Sequence, residues 1–216
     1  MMTEARAHEA GGLPGASAPA LPRRIAVIDG GGDGRGSPIS LVLDDFEEAF
    51  WVYARHGAGP DARIPRIDRL SPSDPAALGA SADAVVLGCA LRSGTMPEEA
   101  LMVVAALPED TRLYAIATDE RYGAGSAPSP IASLRESCAE TGVCCYGGLI
   151  AYASSLIPAA ANMPRMGMAR RRLSEATDRL ILAVRCGTDA GTIEARPPIP
   201  RFAYRLLLDL KRRIVP

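Results

Sequence analysis

The sequence predicts an α/β domain, a doubly wound parallel sheet of five strands with helices on both faces. Three observations carry the prediction. Short β-branched runs alternate with longer segments of helical period from residue 23 onward. A glycine-rich stretch, residues 29–40 reading DGGGDGRGSPIS, follows the first run and opens onto a helical pattern. With 216 residues, 48% of them hydrophobic and 23% charged, the chain suits one globular domain of ordinary or slightly large size.

Taken in order, the first 22 residues mix Glu, His, Gly, Ala and Pro without an apolar segment. They read as a disordered tail and not as a secretory signal. Strand one is RIAVID, residues 24–29. Across residues 38–55, Ile39, Leu41, Val42, Leu43, Phe46, Ala49, Phe50 and Tyr53 recur at three- and four-residue spacings, which marks an amphipathic helix. Ser37 is placed to cap it, with Pro38 at its first position, where a missing N–H costs nothing. His56 closes the helix, where the dipole favours it.

A second strand is expected near residues 62–67, interrupted by Pro65. The third, DAVVLG at 83–88, reads as fully buried. Helix two runs from 96 or 97 to 107 and opens with Glu98 and Glu99, acidic residues that suit its dipole. Strand four is RLYAIAT, 112–118, ending in a polar loop of Asp119, Glu120, Arg121 and Tyr122. Then come a helix at 131–141, a fifth strand at 143–149 with Gly147 and Gly148 at its end, a charged helix at 165–186 and a basic amphipathic helix at 200–214. The expected division is a tail at 1–22, a domain at 23–186 and a C-terminal extension at 187–216.

Several function classes drop out. A net charge of −1 argues against general phosphate neutralisation on nucleic acid. No apolar run reaches the roughly 18 to 20 residues of a membrane span. The five cysteines, Cys89, Cys138, Cys144, Cys145 and Cys186, are odd in number and form no C-x-x-C pair. That excludes a disulfide framework, a zinc site or an iron–sulfur run, and a reducing cytoplasm is the expected setting. Two histidines leave little for a His-based triad or metal site.

In a doubly wound sheet, ligands bind beyond the carboxyl ends of the strands, which points to loops 30–37, 89–95 and 119–125. A glycine-rich turn opening onto a helix N-terminus presents backbone N–H groups and a positive dipole end to an anion. The nucleoside triphosphate version, G-x-x-x-x-G-K-[ST], fails because Gly36, Ser37 and Pro38 bring no lysine. The dinucleotide pattern G-x-G-x-x-G threads through residues 30–34 in more than one register, as a run this rich in glycine must.

A third pattern, N-G-S-P-x-x-x-G-N-T, aligns without a gap: Asp29 and Gly30 take the N-G positions, and Gly36, Ser37 and Pro38 take G-N-T. Here the chain resembles the flavodoxin-like NAD(P)H-dependent FMN reductases. GCALRSGTMP at 88–97 is similar to that family's G-[ST]-P-x-Y-x-G-x-M segment, with Gly88, Gly94 and Met96 in place. LRESCAETG at 134–142 with YGGL at 146–149 resembles the family's late helix and following strand, and Met166 with Gly167 its final helix. The resemblance covers roughly residues 24–186.

The resemblance implies a flavodoxin-like fold and an FMN-dependent NAD(P)H oxidoreductase. In such an enzyme a nicotinamide hydride reaches the flavin, and electrons pass to a small-molecule or protein acceptor. It implies a phosphate held by Gly31, Gly32, Arg35, Gly36, Ser37, Pro38 and Ile39. The ring edge would lie on Ala90, Leu91, Arg92, Ser93, Gly94, Thr95 and Met96, with Asp119 beside it. No catalytic side chain and no metal are implied. A cytoplasmic homodimer without nucleic-acid or membrane contact is the expected setting.

The chain also departs from the pattern. Hydroxyl and amide donors of the family's phosphate loop are replaced by Gly31, Ser37 and Pro38, with Arg35 able to compensate. Ala90 and Arg92 replace the proline and tyrosine of the second loop, which removes an aromatic face. The alternative reading is a flavodoxin-like binding or interaction module that has lost flavin and redox activity.

Three further features stand apart. Asp119 and Glu120 suit either acid–base chemistry or a solvated loop. Cys144 and Cys145 read as packing, whereas Cys89 lies at the mouth of the expected site. The last helix carries Phe202, Leu206, Leu210 and Ile214 on one stripe and cations on the other side. It is expected to dock on its own domain or across a dimer, with a membrane surface or partner as the other possibility.

Overall fold

The structure, a computed structural model, describes residues 22–30, 34, 36–56, 64–70, 82–125 and 128–214, with side chains through residue 210. The strands are β1 Arg24–Asp29, β2 Arg66–Leu70, β3 Ala84–Ala90, β4 Arg112–Asp119, β5 Cys144–Tyr152 and β6 Thr192–Ala195. The helices, numbered here in chain order, are α1 Pro38–His56, α2 Glu98–Ala105, α3 Pro130–Thr141, α4 Ile157–Ala160, α5 Arg171–Cys186 and α6 Arg201–Ile214.

All strand pairs are parallel, in the order β2-β1-β3-β4-β5-β6. The first five positions are the flavodoxin-like doubly wound order, so the α/β class stands on topology alone. The strand count does not: among the described residues the sheet has six strands, not five. β6 pairs with β5, Ile193 opposite Leu149 and Ala195 opposite Ala151. At four residues, its alternation of buried Ile193 and Ala195 with exposed Thr192 and Glu194 is too short to stand out as a period.

The pleat divides the core. Ile25 and Val27, Val86, Ile116, Leu149 and Ile193 face α1 and α5, packing on Phe46, Phe50, Leu180 and Val184. Ala26 and Ile28, Leu87, Leu113 and Ile150 face α2 and α3, packing on Val103, Val104, Ile131 and Leu134. Strands buried on both faces are what near-continuous β-branched runs imply.

Local chemistry sets the element ends. Ser40 N–H donates to Ser37 Oγ at 3.2 Å, so Ser37 caps α1 ahead of Pro38. His56, in its Nδ1-protonated form, donates to Val52 O at 2.9 Å. β2 begins after Pro65, which has no N–H to give; Arg66 N–H supplies the first ladder bond, to Arg23 O at 2.8 Å. Of the expected span for this strand, residues 62 and 63 lie outside the described residues, as does the tail through residue 21.

Two segments differ from expectation. β5 runs on to Tyr152, and Gly147 and Gly148 lie inside it, where the β4–β5 register shifts between Leu113 and Ala115. The charged helix starts at Arg171, not 165. Residues 164–170 form turns, with Gly167 N–H donating to Pro164 O, and Arg165 and Arg170 reach back to Asp45 on α1.

Candidate functional site

Strand order changes direction between β1 and β3, and a cleft of about 290 Å³ opens there. Gly30 follows β1 into it, Ser37, Pro38 and Ile39 bring the start of α1, and Ala90, Leu91 and Arg92 bring the end of β3. Its size lies at the lower edge of the roughly 300 to 1,000 Å³ of ligand pockets.

On the α1 side, Ser37 Oγ accepts from the Ser40 amide, which leaves its O–H to donate to a ligand, and Pro38 has no N–H. The Leu41 amide bonds Ser37 O, so helix geometry leaves the Ile39 amide for a ligand. Gly36 has φ +91, and the position a Cβ would take meets no atom of the described residues within 4 Å. A glycine is needed to turn the backbone there, and it leaves open space in front of the helix N-terminus. Arg69 of β2 donates to Ser40 Oγ at 3.2 Å, but its charge is matched by Asp29 at 3.1 Å and by Asp44. Gly31, Gly32 and Arg35 lie outside the described residues.

On the β3 side, Leu91 N–H donates to Thr118 O at 2.8 Å, extending the sheet. Arg92 and Thr95 then exchange two backbone hydrogen bonds of 3.0 Å around Ser93 (φ 52) and Gly94 (φ 84). Two central residues of positive φ make a tight primed turn. This turn carries Ser93, Gly94, Thr95 and half-buried Met96 away from the cleft lining, so the second loop contributes only Ala90, Leu91 and Arg92. Arg92 pairs with Glu99 at 2.9 Å on the rim. The Glu99 carboxyl is held below its usual range by its own backbone N–H first, with Arg92 contributing further.

Asp119 does not face the cleft. It is buried and grips Arg121, accepting from Nη2 at 2.7 Å, from Nε at 2.9 Å and from the backbone N–H at 2.9 Å. The Arg121 guanidinium lies against Gly94, where any Cβ would collide with it. The Asp119–Arg121 pair therefore clamps the 92–95 turn to the loop after β4. Cys89 is likewise fully buried, donating to Met96 Sδ at 3.4 Å, and burial pushes its thiol up to about 12. Alternation along β3 turns it toward α2 with Val85 and Leu87, so it is no mouth-lining nucleophile.

Gly30, Pro97, Glu99, Thr118, Glu120 and Ser154 line the cleft and were not among the predicted site residues. Ser154 follows β5, whose true end lies three residues beyond the expected one. Glu120 had a signal, as the second of two carboxylates after strand four. No aromatic side chain lines the cleft, and among the described residues no cluster of His, Cys, Asp or Glu is placed to hold a metal.

No family model matches the chain, and no curated protein matches it. Solved structures do match. An FMN-dependent NADH-azoreductase from Bacillus anthracis str. Ames Ancestor, in complex with FMN, is 10% identical, with a TM-score of 0.49 over 74% of this chain and 99% of that one. Megasphaera elsdenii flavodoxin is 14% identical, with a TM-score of 0.44 over 71% and 97%. An NADH:FMN oxidoreductase in its apo form is 11% identical, with a TM-score of 0.44 over 84% and 98%. At these scores the fold assignment rests on the strand order itself.

Proposed function

We propose that the chain is an FMN-dependent NAD(P)H oxidoreductase with a small-molecule or protein electron acceptor. The observation that carries the reading is the place of the cleft. It lies at the β1/β3 switch point, where the flavodoxin-like strand order puts a flavin mononucleotide.

The residues present fit such a group at both ends. Open space in front of Gly36 and the free Ile39 amide suit a phosphate on the α1 dipole. Ala90, Leu91 and Pro97 give an apolar wall for a flat ring. Bound flavin supplies the redox chemistry, accepting hydride from a nicotinamide and releasing electrons to an acceptor. The protein's part is to bind and orient. Gly36, Ser37 and Ile39 would hold the phosphate, joined by Gly31, Gly32 and Arg35. The backbone of residues 90–92 would meet the ring edge, and the Asp119–Arg121 pair packs against the turn beyond it.

One observation favours a second reading, a flavodoxin-like binding module without flavin: the lining lacks an aromatic face, and Arg92 is tied to Glu99. A visible spectrum separates the two. The enzyme reading expects flavin absorbance, or quenching of added FMN fluorescence, and bleaching by NADH or NADPH. Gly36→Asp sets a carboxylate and a strained φ at the phosphate and is expected to weaken FMN at least roughly tenfold, about 1.4 kcal/mol. A colourless protein that takes up no FMN would sink this reading.

A further inference from the structure

Helix α6 is docked by one edge. Tyr204 is buried, its hydroxyl donating to Glu120 O at 2.5 Å and lying 3.2 Å from Ser155 Oγ. The Tyr122 ring packs 5.9 Å from that of Tyr204, and its hydroxyl donates to Ile199 O at 2.6 Å, just ahead of the helix. Tyr204 is two residues from both Phe202 and Leu206, about 200° around the helix, so those two point away from the domain. The stripe they begin is bare: Phe202 is 76% exposed, Leu206 69% and Leu210 53%. The helix therefore docks on its own domain, as expected, but by its Tyr204 edge and not by the stripe. Leu207, at its margin, also lines an apolar cavity of about 200 Å³ with Ile157, Leu173 and Pro198, so apolar surface continues from helix into fold.

Charge decides what covers the stripe. The helix contains Arg201, Arg205, Lys211, Arg212 and Arg213 against a single Asp209, in a chain whose net charge is −1. A second copy seated on this face would set one cationic helix against another, and like charges oppose that pairing. An anionic surface complements it.

We infer that α6 is an interfacial helix that holds the protein on an anionic lipid bilayer. Its apolar stripe enters the headgroup–acyl boundary, and the exposed Arg201 and Arg205 on the flank of the stripe meet the lipid phosphates. The domain lies on the opposite edge of the helix, so insertion requires no unfolding. Among the described residues no helix is long and apolar enough to cross a membrane, so the attachment is peripheral. The inference replaces the expectation of no membrane contact and does not depend on flavin binding.

Co-sedimentation of the full chain with phosphatidylcholine vesicles, with and without phosphatidylglycerol, tests it. Binding is expected only with the anionic lipid, weakening as salt rises. Leu206→Glu is expected to abolish it, with an unchanged circular dichroism spectrum because the site is exposed. Arg201→Gln and Arg205→Gln together are expected to weaken it roughly thirtyfold. The inference fails if anionic vesicles leave the protein in solution, or if neutral vesicles bind it equally. It also fails if sedimentation velocity shows a dimer that Leu206→Glu splits while vesicles bind neither form.

Discussion

Glu47 on α1 shows how one residue's chemistry is made by others. Its Oε1 lies 3.6 Å from Arg69 Nη1, but Arg69 is already engaged by Asp29 and Asp44. Burial raises the Glu47 carboxyl above its ordinary 4.5; Arg69 lowers it by less, and Asp44 and Asp29 raise it further. A carboxyl whose folded pKa is raised adds stability only below its unfolded value, and that contribution is lost as pH rises through the folded one. Glu47→Gln is therefore expected to raise the Tm by roughly 2 to 4 °C at pH 7. The gain should vanish below pH 4.5, where the wild-type group is protonated. Thermal melts at the two pH values check this, and an equal gain at both would refute it. Nothing in the sequence marks Glu47, because Arg69 and Asp29 come from β2 and β1. Cys89 is misread for a related reason: its place after a buried strand is visible, but the covering helix is not.

At the scale of elements, α1 was legible from end to end, since its period, its Ser37 cap and its Pro38 start are all local signals. Its buried carboxylate was not. Asp45 faces inward and holds Arg165 and, at 2.6 Å, Arg170, residues 120 and 125 positions away. Arg165 continues to Asp178 on α5 at 2.5 Å, so one aspartate ties α1 to the 164–170 turns and to the helix after them. Removing one partner of a buried pair strands the other charges. Asp45→Ala is expected to lower stability by about 3 to 5 kcal/mol in urea denaturation. A loss under about 1 kcal/mol would show that the arginines turn to solvent instead, as they do at exposed pairs.

For the whole molecule, β6 closes the sheet beyond β5, and Tyr114 of β4 donates to Thr188 O at 3.0 Å on the way into it. A chain ending at residue 187 exposes the β5 edge and loses that anchor. It is expected to melt on the order of 10 °C lower and to aggregate on size-exclusion chromatography, since a long apolar edge recruits other strands. A monomeric product of unchanged Tm would make β6 dispensable. The sequence by itself determined the first five strands and the longer helices, their order along the chain, and a glycine loop feeding a capped helix after the first strand. Those are properties of neighbours in the chain: a period of two or 3.6, a cap, a residue free to take positive φ. Only the tertiary structure decided the order of strands in the sheet, the sixth strand, the Asp119–Arg121 clamp that turns a predicted site carboxylate away from the cleft, and the bare stripe of α6. Periodicity reports that a face is apolar, and what covers that face is set by contacts between residues far apart in the chain.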